Sequence, residues 1–239
     1  MTEVKIIEGD SLEVLQKLKP KKFDLVFIDP PFNTGKEQSL LSTGNKYEDS
    51  FENFKDFFFS ILVNLDRVTK DAGSIFVLMD YREVHYAKVW LDEIMGRSSF
   101  KGEIIWHFET GGQSKSRWSN KHNTILWYSR SACPKFYFDR VPTETRKAPK
   151  EGYSGDKKWS SVWNINMSTT DPQRVGYPSQ KPEKLLETII SVHSDEGDVV
   201  LDCFAGSGTT GAVAKRLNRK AVLIDKNKKS IEIMKDRCK

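Results

Sequence analysis

The chain has few of the residues that build metal sites or disulfide frameworks. Its 239 residues include only three cysteines and four histidines. The cysteines, Cys133, Cys203 and Cys238, lie far apart and are not in Cys-x-x-Cys spacing. Neither a disulfide framework nor a zinc site is therefore expected, and we predict no metal.

The sequence also lacks a long apolar run. No segment approaches the roughly 18 consecutive apolar residues of a membrane-spanning helix. The opening residues, MTEVKIIEGD, lack the basic start and the longer apolar stretch of a signal peptide. We therefore expect a cytoplasmic protein without a membrane anchor. The length and the 38% hydrophobic content are typical of one soluble α/β domain.

Positive charge is concentrated in one segment of the chain. The formal net charge is +5, yet residues 109–181 alone contain 13 Lys/Arg against 6 Asp/Glu. Four of the six tryptophans also lie in this segment. Basic residues interleaved with aromatics suit a nucleic-acid surface. A solvated loop region with a few structural aromatics would fit the charge pattern equally well.

The apolar periodicity predicts strands that alternate with helices. The nearly continuous apolar run Phe23–Ile28 is typical of a strand buried on both faces of a parallel sheet. Apolar side chains at helical spacing predict helices over residues 54–68 and 84–94. Polar residues 33–50 are expected to form a mobile loop, and the periodicity fades over 131–177. This alternation implies a doubly wound, mostly parallel α/β sheet.

A glycine-rich turn separates a predicted strand from a predicted helix at DCFAGSGTT, Asp202–Thr210. Glycines let the backbone approach a ligand closely, and a helix N-terminus supplies free N–H donors. Asp225, at the end of the next predicted strand, is placed to accept hydrogen bonds from ribose hydroxyls, as in dinucleotide folds. Because Gly206, Gly208 and Gly211 also match Gly-x-Gly-x-x-Gly, a nicotinamide-dependent oxidoreductase remains an alternative.

A second motif, Asp29-Pro30-Pro31-Phe32, follows the buried strand directly. Two prolines cannot continue a sheet ladder, so this segment leaves the strand as a rigid loop. The Asp29 carboxylate and the Pro30 carbonyl can each accept one hydrogen of an aromatic amine, which favours a nitrogen lone pair aimed at a methyl donor. Phe32 can stack on a base extruded from a helix. An ordinary strand-ending loop is the alternative, whereas an oxidoreductase leaves the motif unexplained.

Taken together, the motifs resemble those of the β-class amino-methylating DNA methyltransferases. The catalytic motif of that family, Asp/Ser/Asn-Pro-Pro-Tyr/Phe/Trp, corresponds to DPPFNTG at Asp29–Gly35. Its cofactor motif corresponds to Asp202–Thr210, and its flanking motif to YPSQKPEKLLETII at Tyr177–Ile190. The catalytic motif precedes the cofactor motif, with a recognition region between them, as in the β class. The resemblance covers nearly the whole chain.

The resemblance implies a Rossmann-like methyltransferase fold that is circularly permuted. It implies one catalytic domain over residues 1–239, with an inserted target-recognition region over 109–176. The implied cofactor is S-adenosylmethionine, with Asp10 near its adenine and Lys181 near its methionine carboxylate. The other implied cofactor contacts follow the glycine-rich turn: Asp202, Phe204, Gly206, Ser207, Gly208, Thr209 and Asp225.

The implied reaction is methyl transfer to the exocyclic amino group of a flipped base in double-stranded DNA. An aspartate at position 29 favours N6 of adenine. N4 of cytosine, an RNA methyltransferase and a non-catalytic DNA-binding relative are the alternatives. A homodimer and a restriction endonuclease acting on the same site are the further partners that the family allows. The expected DNA contacts lie in the basic segment: Lys115, Arg117, Trp118, Lys121 and His122.

Overall fold

The structure, a computed structural model, describes residues 3–33, 36–39, 46–49, 52–109, 112–145, 155–168, 170–177 and 179–239. For 36–39 and 46–49 only the backbone is described. Thr34, Gly35 and Pro178 of the expected motifs lie outside the described ranges, as do residues 110–111, 146–154 and 169 of the expected recognition region.

Strands and helices alternate along the described part of the chain. The strands are β1 (Val4–Glu8), β2 (Phe23–Ile28), β3 (Lys36–Ser39), β4 (Lys46–Asp49), β5 (Thr69–Met79), β6 (Phe100–His107), β7 (His122–Tyr128), β8 (Thr143–Thr145), β9 (Asp156–Lys158), β10 (Val162–Asn164), β11 (Val199–Asp202) and β12 (Lys220–Asp225). The helices are α1 (Ser11–Lys17), α2 (Phe54–Val68), α3 (Val84–Met95), α4 (Glu183–His193), α5 (Thr209–Arg216) and α6 (Lys228–Arg237). None of these helices combines the length and the apolar character that a membrane crossing requires.

Eight of the strands form one sheet, in the order β1-β12-β11-β2-β5-β7-β6-β10. Strand β7 runs antiparallel to both neighbours, and all other neighbouring pairs are parallel. The prediction of a mostly parallel α/β sheet is therefore confirmed. The first strand, β1, pairs with the last, β12. That pairing accords with a circular permutation, which itself stays a prediction.

The apolar side chains of β2 project from both faces of the sheet and pack against helices on each side. Phe23, Val26 and Ile28 belong to a cluster formed with α1, α2 and α3. Leu25 and Phe27 belong to a second cluster, formed with α4, α5 and α6. A strand with helices on both sides has no solvent-facing side, so its sequence shows no polar alternation.

Two segments expected to be irregular contain strands. Within 33–50, where a loop was predicted, β3 and β4 pair antiparallel. Within 131–177, β10 adds a parallel strand beside β6, and β8 pairs with β9. The prediction of a loop over 33–50 missed the first pair, because short strands held by backbone hydrogen bonds leave little apolar periodicity in the sequence. For the same reason the strands within 131–177 lie where the periodicity fades. The limits of the recognition region stay a prediction, and β7 within it lies inside the main sheet.

Four carboxylates end neighbouring strands. Asp10 follows β1, Asp225 ends β12, Asp202 ends β11, and Asp29 follows β2. Because these strands are parallel neighbours, all four residues lie at one edge of the sheet. In open α/β sheets, ligands bind outside the carboxyl ends of the strands. The fold thus brings together motifs that are distant in the chain.

His193, at the end of α4, is buried among aromatic rings. Its ring lies against those of Phe76, Trp127 and Phe136. Its Nδ1 lies 3.0 Å from the carbonyl oxygen of Lys135. Burial lowers the pKa of His193 to about 4 from its ordinary 6.5, although the hydrogen bond to that carbonyl acts in the opposite direction. Between these two pKa values, His193 is therefore neutral in the folded protein and protonated in the unfolded chain.

We expect the free energy of unfolding to decrease as the pH falls from the unfolded pKa of His193 toward its folded pKa. The folded pKa is the lower one, so the stabilisation is complete above 6.5 and is lost toward 4. At about pH 5 the loss from this residue is about 2 kcal/mol. Urea unfolding of the wild type and His193→Gln at about pH 7.5 and about pH 5 measures it. Glutamine can donate the same hydrogen bond without titrating, so identical pH dependence in both proteins would contradict the assignment.

Candidate active site

The segment Asp29–Phe32, here called the catalytic loop, leaves β2 at the carboxyl edge of the sheet. The Asp29 side chain is 17% exposed, and Pro30 is buried. The chain then turns at Asn33, which has a left-handed φ of 50°. Asn33 donates from Nδ2 to Oε1 of Glu83, 3.4 Å away at the start of α3. The loop is thus held between its own strand and the neighbouring β5–α3 connection.

Lys181 forms an ion pair with the catalytic loop. Its Nζ contacts Oδ2 of Asp29, and only 14% of the lysine side chain is exposed. The same Nζ lies 5.9 Å from the ring centroid of Phe32 and 3.0 Å from the carbonyl oxygen of Ser179. Family resemblance predicted a position near the methionine carboxylate of the cofactor. In the structure, the ammonium orients the Asp29 carboxylate through a charge-assisted hydrogen bond.

The segment Asp202–Thr210, here called the cofactor loop, packs too closely for side chains at its glycines. Gly206 and Gly208 have left-handed φ values of 49° and 74°. A Cβ at Gly208 would lie 2.7 Å from Cγ of Met234 in α6. The third glycine of the Gly-x-Gly-x-x-Gly pattern has a different reason, since a Cβ at Gly211 would lie 2.5 Å from a methyl carbon of Leu223. Helix packing against β12 therefore explains the pattern without a nicotinamide cofactor.

Asp225 holds the cofactor loop from the neighbouring strand. Its Oδ2 accepts the backbone N–H of Gly206 at 2.8 Å, and its Oδ1 accepts that of Asn227 at 2.8 Å. Burial raises the pKa of Asp225 above its ordinary value. Asp10, one strand further along the sheet, caps the N-terminus of α1 by accepting the N–H of Leu12 at 2.9 Å. Each carboxylate oxygen has a second lone pair for a ligand hydroxyl or amine.

Asp202, the first residue of the cofactor loop, is buried. Its Oδ1 accepts the N–H of Phe204 at 3.0 Å, and its Oδ2 accepts the hydroxyl of Thr210 at 2.5 Å. Burial raises the pKa of Asp202 to about 7. The Phe204 ring packs edge-on against Phe57 of α2. Burial also raises the pKa of the Cys203 thiol, so this cysteine is a poor nucleophile.

Two hydroxyls of the cofactor loop point into the protein. Oγ of Ser207 and Oγ1 of Thr209 lie 3.1 Å apart, and both residues are buried. Arg237, near the end of α6, donates to both of them, and it pairs with Glu183 at the start of α4. Sequence reasoning missed Arg237, because one basic residue in the last turn of a helix is a common feature.

The expected DNA contacts lie in the connection between β6 and β7, except His122, which is the first residue of β7. Trp118 is 98% exposed, and Lys115, Arg117 and His122 are also exposed. Nζ of Lys121 donates to the carbonyl oxygen of residue 109 at 3.1 Å. Because β6 is parallel to β2 and β5 in the sheet, this connection lies at the edge that carries the catalytic loop.

The groups at this edge suit a ligand that combines hydroxyls, charged groups and a flat ring. Asp10 and Asp225 supply acceptors, and Lys181 supplies a cation. Within the described ranges, no group of three His, Cys, Asp or Glu side chains is arranged to hold a metal ion. The nearby aromatic ring of Phe32 adds a stacking surface.

Comparison with known structures supports the same fold. The PvuII DNA methyltransferase, described as cytosine-N4-specific, superposes with a TM-score of 0.77 over 99% of this chain and 86% of its own, at 22% identity. The M1.HpyAVI enzyme in complex with S-adenosylmethionine superposes with a TM-score of 0.66 over 98% of both chains, also at 22% identity.

Sequence comparison assigns the family. A family model described as DNA methylase, of the N6/N4 type, matches residues 23–236. The Type II methyltransferase M.HpaI of Haemophilus parainfluenzae is 32% identical over 98% of this chain and 73% of its own length. The DNA adenine methyltransferase YhdJ of Escherichia coli strain K12 is 31% identical over 95% of this chain and 80% of its own. The chain therefore belongs to the N6/N4 family of DNA methylases.

Proposed function

We propose that this DNA methyltransferase transfers a methyl group from S-adenosylmethionine to N6 of an adenine flipped out of double-stranded DNA. The observation that carries the proposal is the ion pair between Lys181 and Asp29. The same Lys181 accepts at its backbone carbonyl from Oγ1 of Thr209, 3.4 Å away in the cofactor loop. The catalytic loop and the cofactor loop are therefore adjacent, as methyl transfer between two bound molecules requires.

Asp29 and Pro30 would act on the amino group of the base. S-adenosylmethionine, when bound, would supply the methyl group from its sulfonium sulfur, which keeps the electron pair of the sulfur–carbon bond as a neutral thioether leaving group. The Asp29 carboxylate and the Pro30 carbonyl each accept one amino hydrogen, so the nitrogen lone pair is directed away from the ring. When the nitrogen forms its bond to the methyl carbon it loses one proton, and the Asp29 carboxylate is placed to take it. No covalent intermediate on the enzyme is needed, in keeping with the buried Cys203 thiol.

The cofactor would be held by the carboxyl edge of the sheet. Asp225 lies where ribose hydroxyls can donate to its remaining lone pairs. Gly206 and Gly208 carry no side chain, so a ligand can approach the backbone of the cofactor loop closely. Asp10 is assigned to the adenine and Lys181 to the methionine carboxylate, by family resemblance. A related fold with S-adenosylmethionine bound, that of M1.HpyAVI, supports this choice of cofactor.

Adenine is favoured over cytosine by two observations. The first residue of the catalytic motif is aspartate, which in this family goes mostly with N6 of adenine. The relative YhdJ is named a DNA adenine methyltransferase. The PvuII enzyme is named cytosine-N4-specific, but it shares only the fold at 22% identity. N4 of cytosine is the second candidate, because the same two acceptors would serve either amine.

Two related enzymes, M.HpaI and M.HinfI, are named Type II methyltransferases. Their names support a proposed role in restriction and modification, with an endonuclease that acts on the same site. A homodimer and a cytoplasmic location complete the proposal, as expectations from the family.

Asp29→Ala should lose methyl transfer by at least about 100-fold, because the amino group loses the acceptor that directs its lone pair. Transfer of tritiated methyl from S-adenosylmethionine to duplex DNA measures the rate. Cofactor affinity, measured by calorimetry, should change by less than about threefold, since Asp29 acts on the base. Asp71→Ala, at an exposed carboxylate, is the matched control. Full activity in Asp29→Ala would refute the mechanism.

Nuclease digestion of the methylated DNA separates the two candidate bases. N6-methyladenine as the labelled nucleoside is the expected product, whereas N4-methylcytosine would overturn the assignment of the base. Methyl transfer to RNA and not to duplex DNA would overturn the proposal that the substrate is DNA.

The exposed basic segment should contribute to DNA affinity through phosphate contacts. Replacing Lys115 and Arg117 together with alanine should weaken duplex binding and make the slope of log K against log salt shallower by about 2. Titration of labelled duplex at several salt concentrations measures the slope. Lys235→Ala, on α6 at the far edge of the sheet, is the control. A slope unchanged in the double variant would remove the two residues from the DNA surface.

A further inference from the structure

Arg237 is a nearly buried cation that joins three elements. Only 8% of its side chain is exposed. From α6, its Nη1 lies 2.9 Å from Oγ1 of Thr209, 3.3 Å from Oγ of Ser207 and 3.4 Å from the carbonyl oxygen of Ser207. Its Nη2 donates to Oε1 of Glu183 at 2.7 Å. The planar guanidinium thus contacts the cofactor loop with one nitrogen and the start of α4 with another, which a single ammonium could not do.

Both ends of this network lead to residues of the candidate active site. Thr209 Oγ1, besides accepting from Arg237, lies 3.4 Å from the backbone carbonyl of Lys181. Glu183 is only two residues after Lys181 in the chain, and Lys181 contacts Asp29. Arg237 therefore supports the two segments that frame the cofactor without belonging to the exposed edge itself.

Glu183 also pairs with a second arginine, Arg216, so the roles of the two arginines can be compared. Arg216 contacts Oε2 of Glu183, and 48% of the Arg216 side chain is exposed. Burial raises the pKa of Glu183, but the hydrogen bonds from Arg216 and Arg237 outweigh it, so the net pKa is lowered and the carboxylate stays charged. Both arginines thus stabilise the same carboxylate. In the described part of the structure, Arg237 alone of the two extends to hydroxyls of the cofactor loop.

We infer that Arg237 is a positioning residue for cofactor binding. It holds the hydroxyls of Ser207 and Thr209, and through Glu183 it holds the Lys181 segment, so the backbone of the cofactor loop keeps its binding shape before the ligand arrives. The inference rests on the proposed use of S-adenosylmethionine. It also gives the side chains of Ser207 and Thr209 a role in supporting the loop from within the protein.

Comparison of Arg237→Gln with Arg216→Gln tests the inference. For Arg237→Gln, the Kd for S-adenosylmethionine by calorimetry and the KM for it should each rise about tenfold, since preorganisation is lost. The kcat at saturating cofactor should stay within about twofold, because the catalytic loop is intact. Arg216→Gln should match the wild type in both KM and kcat. A merely structural role would lower kcat per total protein and leave KM unchanged, and that result would overturn the inference.

Arg237→Lys keeps the test valid if the glutamine variant does not fold. Lysine keeps the charge beside Glu183 but cannot reach both partners, so thermal stability should recover while KM stays raised by severalfold. Thr209→Val should then raise KM in the wild type and add little in the Arg237→Lys background. Additive effects would mean that Thr209 contacts the cofactor directly, which overturns the inference. A wild type that fails to bind S-adenosylmethionine would instead refute the proposed function.

Discussion

The ion pair between Lys181 and Asp29 is the contact on which the arrangement of the site depends. It joins two motifs that are far apart in the chain, and both side chains are mostly shielded from water. A charge pair in such a setting is screened less than one at the surface, so it holds its geometry better. The backbone of Lys181 lies against Thr209 at the same time. Lys181 therefore links the catalytic loop, through its side chain, to the cofactor loop, through its backbone.

Buried polar groups hold the cofactor loop in its conformation. Asp202 and Asp225 accept backbone N–H groups of the loop, and Arg237 binds its hydroxyls. Burial raises the pKa of both carboxyls, which is the cost of placing acidic groups where water cannot solvate them. Every one of these hydrogen bonds restricts the loop before a ligand binds. Residues that resemble ligand contacts in the sequence thus also serve as internal supports.

Sheet topology explains why the connection between β6 and β7 and the catalytic loop lie at the same edge of the sheet. Strands β2, β5 and β6 point the same way, and β7 runs between the last two in the opposite direction. The connection from β6 to β7, which carries Trp118, must therefore lie at the carboxyl edge. On the proposed function, a duplex that approaches this edge would meet exposed cations and an aromatic ring at the same edge as the loop that would receive the flipped base.

The sequence by itself determined the α/β alternation, the buried strand Phe23–Ile28 and the two loops that follow parallel strands. Apolar periodicity, proline and glycine are local signals, so these features could be predicted. The hairpin of β3 and β4, the edge strand β10 and the partners of Arg237 could not, because each depends on which distant backbone or side chain lies alongside. The tertiary structure alone paired Lys181 with Asp29, since an ion pair between two loops is decided by how the sheet brings their ends together.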